Sequence, residues 1–276
     1  MVNRQVIIDE KVLDNLLLKA LPQEYEVLLE GYGLDEEEEQ YFYLILLLLN
    51  GHIEVINDWL NSSDGKKILD GVKELGLNFF DELEYKIRLK LHDSFTKDIV
   101  PLLLSWYSFG NSLAYRELNL LPVFLDSDWL VFDSIKQYNY NLLTDLSKDV
   151  CVTLRDVLYD GIKDGLGIDE LTDLLLTNGL RGKGKFSART RAEMIASSER
   201  TRLINQAIIN TFKEENVEWV DFITMNDGRV CAVCMSLQDE NPHRLIDLEN
   251  SDNIPPIHPR CRCRIKKAQP PNNQNL

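Results

Sequence analysis

The chain has 276 residues, 44% of them hydrophobic, which is ample for a real core in one large or two modest domains. Its formal charge of −15 sets the bulk of the surface against nucleic acid. Acidic Asp9 and Glu10 stand where a cleavable apolar leader would begin, so no signal peptide is expected. The most apolar run, Tyr41 to Leu49, falls far short of the ~18 residues a membrane helix needs. The expectation is a product made and kept in a reducing cytoplasm, with no membrane association.

Residues 1 to about 180 read as almost entirely helical. A strong helix is predicted over 36–60, with Glu36 to Glu39 in its first turn, where negative charge suits the helix dipole. Leu142, Leu146, Val150, Leu154, Val157, Leu158 and Ile162 recur at three- and four-residue spacing and define a second apolar stripe. Gly165 and Gly167 end that helix, and Asp169 stands as the N-cap of the next. Thr177 to Ala188 holds three glycines and no apolar period, which marks a linker or exposed loop.

A helix is then predicted from about Ser187 to Glu215, and Val217 to Met225 reads as a strand. Asn226-Asp227-Gly228 signals a tight turn. A short extended piece is expected around His243–Leu248, and Pro255-Pro256 forces an extended chain into His258-Pro259. Residues 268–276 have little reason to be ordered. The expected fold class is mainly α, with a small C-terminal α+β cysteine-rich module. The boundaries read as an N-terminal helical region 1–92, a helical body 93–180, a C-terminal domain 181–267 and a tail 268–276.

Four of the five cysteines fall in that last domain: Cys231, Cys234, Cys261 and Cys263. Cys231-Ala-Val-Cys234 is a knuckle whose two thiolates can take adjacent corners of a tetrahedron, and zinc favours such soft ligands. His258-Pro-Arg-Cys261-Arg-Cys263 offers three more candidates. In an extended chain Cys261 and Cys263 lie on one side, with His258 the alternative to Cys263 as fourth ligand. Three readings stay open: a structural zinc site, a late disulfide between the pairs, and reduced thiols packed as small hydrophobes. Cys151 lies on the flank of the second apolar stripe and reads as a core residue.

Charge is unevenly spread. Seven basic residues against two acidic ones lie between Arg181 and Arg202, and five basic residues with no acid follow His258. Arg181, Lys183, Lys185, Arg262 and Lys266 are therefore candidates for contact with phosphate or an acidic partner. Glu199 falls in the middle of the apolar face that Ala192, Ile195, Ala196, Leu203 and Ala207 form. A carboxylate there needs a cation, and Arg229 is the expected partner in a structural ion pair, with Arg262 and Arg264 as further candidates.

The stretch Arg191-Ala-Glu-Met-Ile195-Ala-Ser-Ser-Glu199 with Asn205 and Ala207, then Asp227-x-Arg229-x-Cys231-x-x-Cys234, then His258-Pro-x-Cys261-Arg-Cys263, occurs in a definite order. The set resembles the phage Mu F-like minor head proteins, also called the phage head-morphogenesis family. The resemblance is sharp over about 187–267 and diffuse over about 95–180; residues 1–90 match nothing. Ser198 stands where threonine is common, Ala232-Val233 replaces a proline-containing pair, and Arg260 stands where asparagine is common. None of these removes a candidate ligand.

The resemblance implies a minor capsid protein of a tailed bacteriophage, present in few copies at the portal vertex. It further implies the portal and other head proteins as partners, virion localisation, a part in DNA packaging or ejection, and no enzymatic activity. Basic residues at 181–202 and 260–267 would suit non-specific contact with packaged DNA. Two alternatives remain: a nuclease or toxin-like enzyme using Glu199, Arg229 and His258, and a zinc-stabilised adaptor outside the virion.

Overall fold

A computed structural model describes residues 36–70, 78–178 and 187–271. The basic residues Arg181, Lys183 and Lys185, most of the predicted glycine-rich linker, the first 35 residues and the end of the tail lie outside the described residues. The elements in chain order are helices α1 (Glu36–Leu60), α2 (Ser63–Leu69) and α3 (Asn78–Ser94), a π-turn (Phe95–Ile99), and helices α4 (Val100–Glu117), α5 (Asp126–Lys163), α6 (Ile168–Asn178) and α7 (Ala188–Glu214). Strand β1 (Trp219–Ile223), helix α8 (Ala232–Asp239), strand β2 (His243–Arg244), helix α9 (Leu245–Asn250) and strand β3 (Arg264–Lys267) follow. The expected class, mainly α with a small C-terminal α+β module, is what the structure has. Two compact units divide the chain, one drawn from the described parts of Pro101–Asn139 and Met194–Leu276, the other from those of Ile7–Val100 and Tyr140–Glu193.

Among the described residues the second of these units is built only of helices. Tyr41, Phe42, Ile45, Leu46, Leu49, Ile53 and Ile56 of α1 are buried, at the i, i+3, i+4 spacing that sequence periodicity predicts. The buried stripe of α5 in this unit is Leu143, Leu146, Val150, Leu154 and Leu158. Leu142, Val157 and Ile162, expected in that stripe, lie half-buried on its flanks. Gly161 lets α6 approach α5, since a Cβ there would meet Leu171 Cδ2 at 2.4 Å. The cap expected at Asp169 is displaced by two residues: α6 begins at Ile168, and the Gly167 amide donates to Glu170 Oε2 at 3.0 Å, so Asp169 sits in the first turn. Ser187 does cap α7, accepting from the Thr190 amide at 3.1 Å.

The other unit joins α4, the first part of α5 and most of α7 to a three-stranded sheet. Its helices meet closely at Gly110, where a Cβ would stand 2.4 Å from the Ile204 carbonyl oxygen. Buried Asp128 accepts from Tyr107 Oη at 3.0 Å, Asn210 Nδ2 at 2.8 Å and the Leu125 amide at 2.8 Å, which fixes the entry to α5 without leaving the carboxylate unpaired. The sheet has order β2-β1-β3, and both pairings are antiparallel. Alternation along β1 buries Val220 and Phe222, which join Ile208, Phe212, Leu245, Leu248 and Ile265 in one apolar cluster.

One element was not expected and one expectation is corrected. The segment after the first cysteine is a helix, α8, because Cys231 itself caps it by accepting from the Cys234 amide at 3.4 Å. Extended structure at His243 stops at Arg244, and α9 turns Leu245 and Leu248 into the core. One edge of β1 is closed by a side chain: Asn241 accepts from the Phe222 amide at 2.7 Å and donates to its carbonyl at 3.0 Å.

Candidate metal centre

The five predicted donors come together. Cys231 caps α8 and Cys234 lies one turn into it, so the knuckle spacing places both sulfurs on the helix's first turn. His258 and Cys261 lie on the loop entering β3, and Cys263 immediately precedes that strand. His258 Nε2 is 3.3 Å from Cys231 Sγ and 3.4 Å from Cys234 Sγ. Cys231, Cys234 and His258 form one set of donor atoms mutually within 4.8 Å, and Cys234, Cys261 and Cys263 form a second. Cys234 belongs to both. The cluster can hold a metal ion: four soft sulfurs and one imidazole nitrogen converge, three of the cysteines are buried, and none is in a disulfide.

Hydrogen bonding prepares these donors. His258 Nδ1 lies 2.8 Å from the Pro259 carbonyl oxygen. A carbonyl only accepts, so Nδ1 carries the hydrogen and the neutral ring turns its Nε2 lone pair toward the two sulfurs, as a metal-ligating histidine is usually held. Bonds from Cys263 hold the Cys261 thiol well down, and the same pairing together with burial pushes the Cys263 thiol up. Burial, with a bond to Cys231, raises Cys234, while the backbone amide of Cys234 lowers Cys231. Burial pulls His258 down, but the Pro259 carbonyl and the neighbouring sulfurs outweigh it and leave the imidazole raised. The cluster without metal thus shares its protons unevenly among donors, which a cation would displace.

The arginine between the last two cysteines is a brace. Arg262 pairs with Asp227 of the tight turn, whose carboxyl it holds below the usual range, and Asp227 also accepts from the Arg229 amide at 3.0 Å. The knuckle and the Cys261–Cys263 segment are therefore tied across 35 residues of sequence. Arg262, expected to reach outward, is about three-quarters buried in this pairing. Lys266 is exposed on β3, in register with Asp221 of β1.

Glu199 is buried as expected, but its expected partner is replaced. Arg202 Nε lies 3.0 Å from Oε1, and Asn139 Nδ2 donates to Oε2 at 3.0 Å, whereas the Arg229 guanidinium lies 3.6 Å from Asp227. The reason is local. Arg202 is three residues along the same helix, where side chains are neighbours, and Asn139 comes from α5. Burial raises the Glu199 carboxyl, and Arg202 and Asn139 oppose that without cancelling it. Cys151 lies outside the cluster, half-buried on a cavity of about 260 Å³ in the all-helical unit, with its thiol pushed up by burial to about 11.

Among the described residues one unit is all helical, and the other combines helices with a small sheet and a Cys/His cluster. Residues 152–266, which hold all five donors, match the family described as phage Mu protein F like protein, and the motif resemblance is thereby borne out. An uncharacterized protein of Methanocaldococcus jannaschii is similar as well, 26% identical over 207 residues, or 73% of this chain. The chain spans 30% of that relative's length. No solved structure matches. Among the described residues no helix is long and apolar enough to cross a membrane.

Proposed function

We propose that this chain is a minor head protein of a tailed bacteriophage, acting in head assembly at the portal vertex and carrying a structural zinc ion in its cysteine module. The observation that carries the reading is the coincidence of the family match over 152–266 with a convergent five-donor cluster in the same span. Zinc, when bound, supplies a cross-link between the knuckle and the β3 segment and no chemistry of reaction. Cys231, Cys234 and Cys261 supply three ligands, and His258 or Cys263 the fourth. The partners are the portal and other head proteins. Lys266, with Arg181, Lys183 and Lys185, remains the candidate contact for packaged DNA or an acidic partner surface, while Arg262 is committed to Asp227.

A nuclease built on Glu199, Arg229 and His258 has less support. Glu199 is engaged with Arg202 and Asn139, Arg229 with Asp227, and His258 turns its free nitrogen onto sulfur. The test is to purify particles from an infected or induced host and count this chain by quantitative mass spectrometry, with elemental analysis of the isolated protein. A few copies per particle with near one zinc per chain supports the reading. Particles that lack the chain would leave an adaptor outside the virion as the better account.

A further inference from the structure

The motif on α7 that accompanies the cysteines contributes none of the five donors that could hold a metal. Two of its residues instead hold the backbone that carries Cys261 and Cys263. Asn205 is 1% exposed and spends its whole amide. Nδ2 donates to the Cys263 carbonyl at 3.0 Å and to the Thr201 carbonyl at 2.8 Å, and Oδ1 accepts from the Ile265 amide at 2.8 Å. The carbonyl of one residue and the amide of the next but one point to the same edge of a strand. Asn205 therefore stands where a fourth strand's peptide group would, and sets the direction in which the Cys263 side chain leaves the backbone.

Two turns earlier on α7, Ser198 Oγ accepts from the Arg260 amide at 3.0 Å while donating to the Met194 carbonyl at 2.7 Å. Arg260 has φ +62°, a left-handed conformation disfavoured for a residue with a Cβ. It immediately precedes Cys261, so the tight bend that aims Cys261 at the cluster is held from α7. The seven-residue separation of Ser198 and Asn205 puts both on one helix face, which the ligand-bearing segment follows from Arg260 to Ile265.

We infer that Ser198 and Asn205 are positioning residues of the metal centre, preorganising Cys261 and Cys263 through backbone hydrogen bonds from α7. The inference rests on the metal reading above and deepens it. Groups that orient ligands from outside the coordination shell typically contribute about 10–100-fold in metal affinity.

The test measures zinc affinity of the full chain by competition with a chromophoric chelator, and the absorption of the cobalt(II) form. Wild type, Asn205→Leu, Asn205→Asp, Ser198→Ala and Tyr107→Phe are compared, the last removing the buried Tyr107–Asp128 bond of the same unit. Asn205→Leu is expected to weaken zinc binding about 10–100-fold with one metal per chain retained and a shifted cobalt spectrum. Asn205→Asp keeps the acceptor for Ile265 but sets a carboxylate oxygen against the Thr201 and Cys263 carbonyls, so it should lose at least as much as Asn205→Leu, and Ser198→Ala should lose less than either. Tyr107→Phe should match wild type. If Asn205→Leu does not fold, Asn205→Asp and Ser198→Ala carry the same comparison. Wild-type affinity and spectrum in all three variants, or an equal loss in Tyr107→Phe, overturns the inference and leaves the metal reading standing. A wild-type chain that binds neither zinc nor cobalt overturns both.

Discussion

The all-helical unit and the cysteine module solve the same problem by different means. In the helical unit, Tyr41, Phe42, Leu46 and Leu49 on α1 and Leu143, Leu146 and Leu154 on α5 are fully or almost fully buried, so removal of apolar surface from water suffices to hold it. The sheet beyond α7 has strands of five, two and four residues. These strands bury Val220, Phe222 and Ile265, and side chains stand in for missing strand structure around them: Asn241 and Asn205 along strand edges, Asp227–Arg262 between segments, and the donor cluster. Small domains often add such staples to their core. Both regions bury apolar area, and the second adds specific bonds to its buried cluster.

The sharpest way to break that contrast is to remove metal. If zinc is bound as proposed, stripping it from the reduced protein with a strong chelator withdraws an apparent ~10–16 kcal/mol, on the scale of zinc-finger peptides. Amide hydrogen exchange should rise sharply in peptides spanning 219–267, while peptides from α1 and α3 keep their protection. Uniform protection before and after chelation would mean that the module stands without metal.

A converse perturbation belongs in the helical unit. Leu46 is completely buried, and Leu46→Ala should cost about 2–5 kcal/mol through lost transfer energy and the cavity left behind. Denaturant melts should show that loss with bound metal unchanged. Zinc lost in parallel would tie the two regions into one cooperative unit.

Protonation distinguishes the regions more finely. His52 is 2% exposed, with Nε2 2.6 Å from Ser147 Oγ, and burial pulls its pKa from 6.5 to about 4. The unfolded chain therefore takes up the proton first. The stabilisation from the neutral ring is fully present above pH 6.5 and is lost as pH falls toward 4. Over that window the loss amounts to about 3 kcal/mol. His52→Gln should flatten this part of the stability–pH curve of the helical unit. A curve of unchanged slope would show that other groups set it.

What the sequence made legible follows the same divide. Helices were readable where apolar period was strong, as in α1 and α5, and the convergence of the five donors was readable because C-x-x-C and H-x-x-C-x-C spacing is itself a geometric statement. The supports were not. Ser198–Arg260 and Asn205–Ile265 span about sixty residues of sequence, and no local pattern announces a hydrogen bond to a distant backbone. Helix α8 escaped because its N-cap is a cysteine, which reads as a ligand before it reads as a cap. Arg202 could have been found as the partner of Glu199 from i, i+3 spacing alone.

The smallest expected effect concerns that same carboxylate. Burial raises the Glu199 pKa, with Arg202 and Asn139 only partly offsetting it. A raised carboxyl favours the fold in its protonated form, and this contribution is lost as pH rises through the folded-state pKa. Ionised Glu199 is thus the costly state, and the ion pair only limits that cost. Glu199→Gln keeps the volume and an oxygen for Asn139 Nδ2. Arg202, about one-third exposed and 4.9 Å over the Tyr138 ring, keeps water and an aromatic face. Stability of the Gln variant at neutral pH should lie within ~1 kcal/mol of the parent, whereas Glu199→Ala removes one acceptor from Asn139 Nδ2, which still donates to the Ile135 carbonyl, at a cost of about 1–3 kcal/mol. Equal losses in the two variants would show that the charge itself, and not the acceptor, stabilises this helix face.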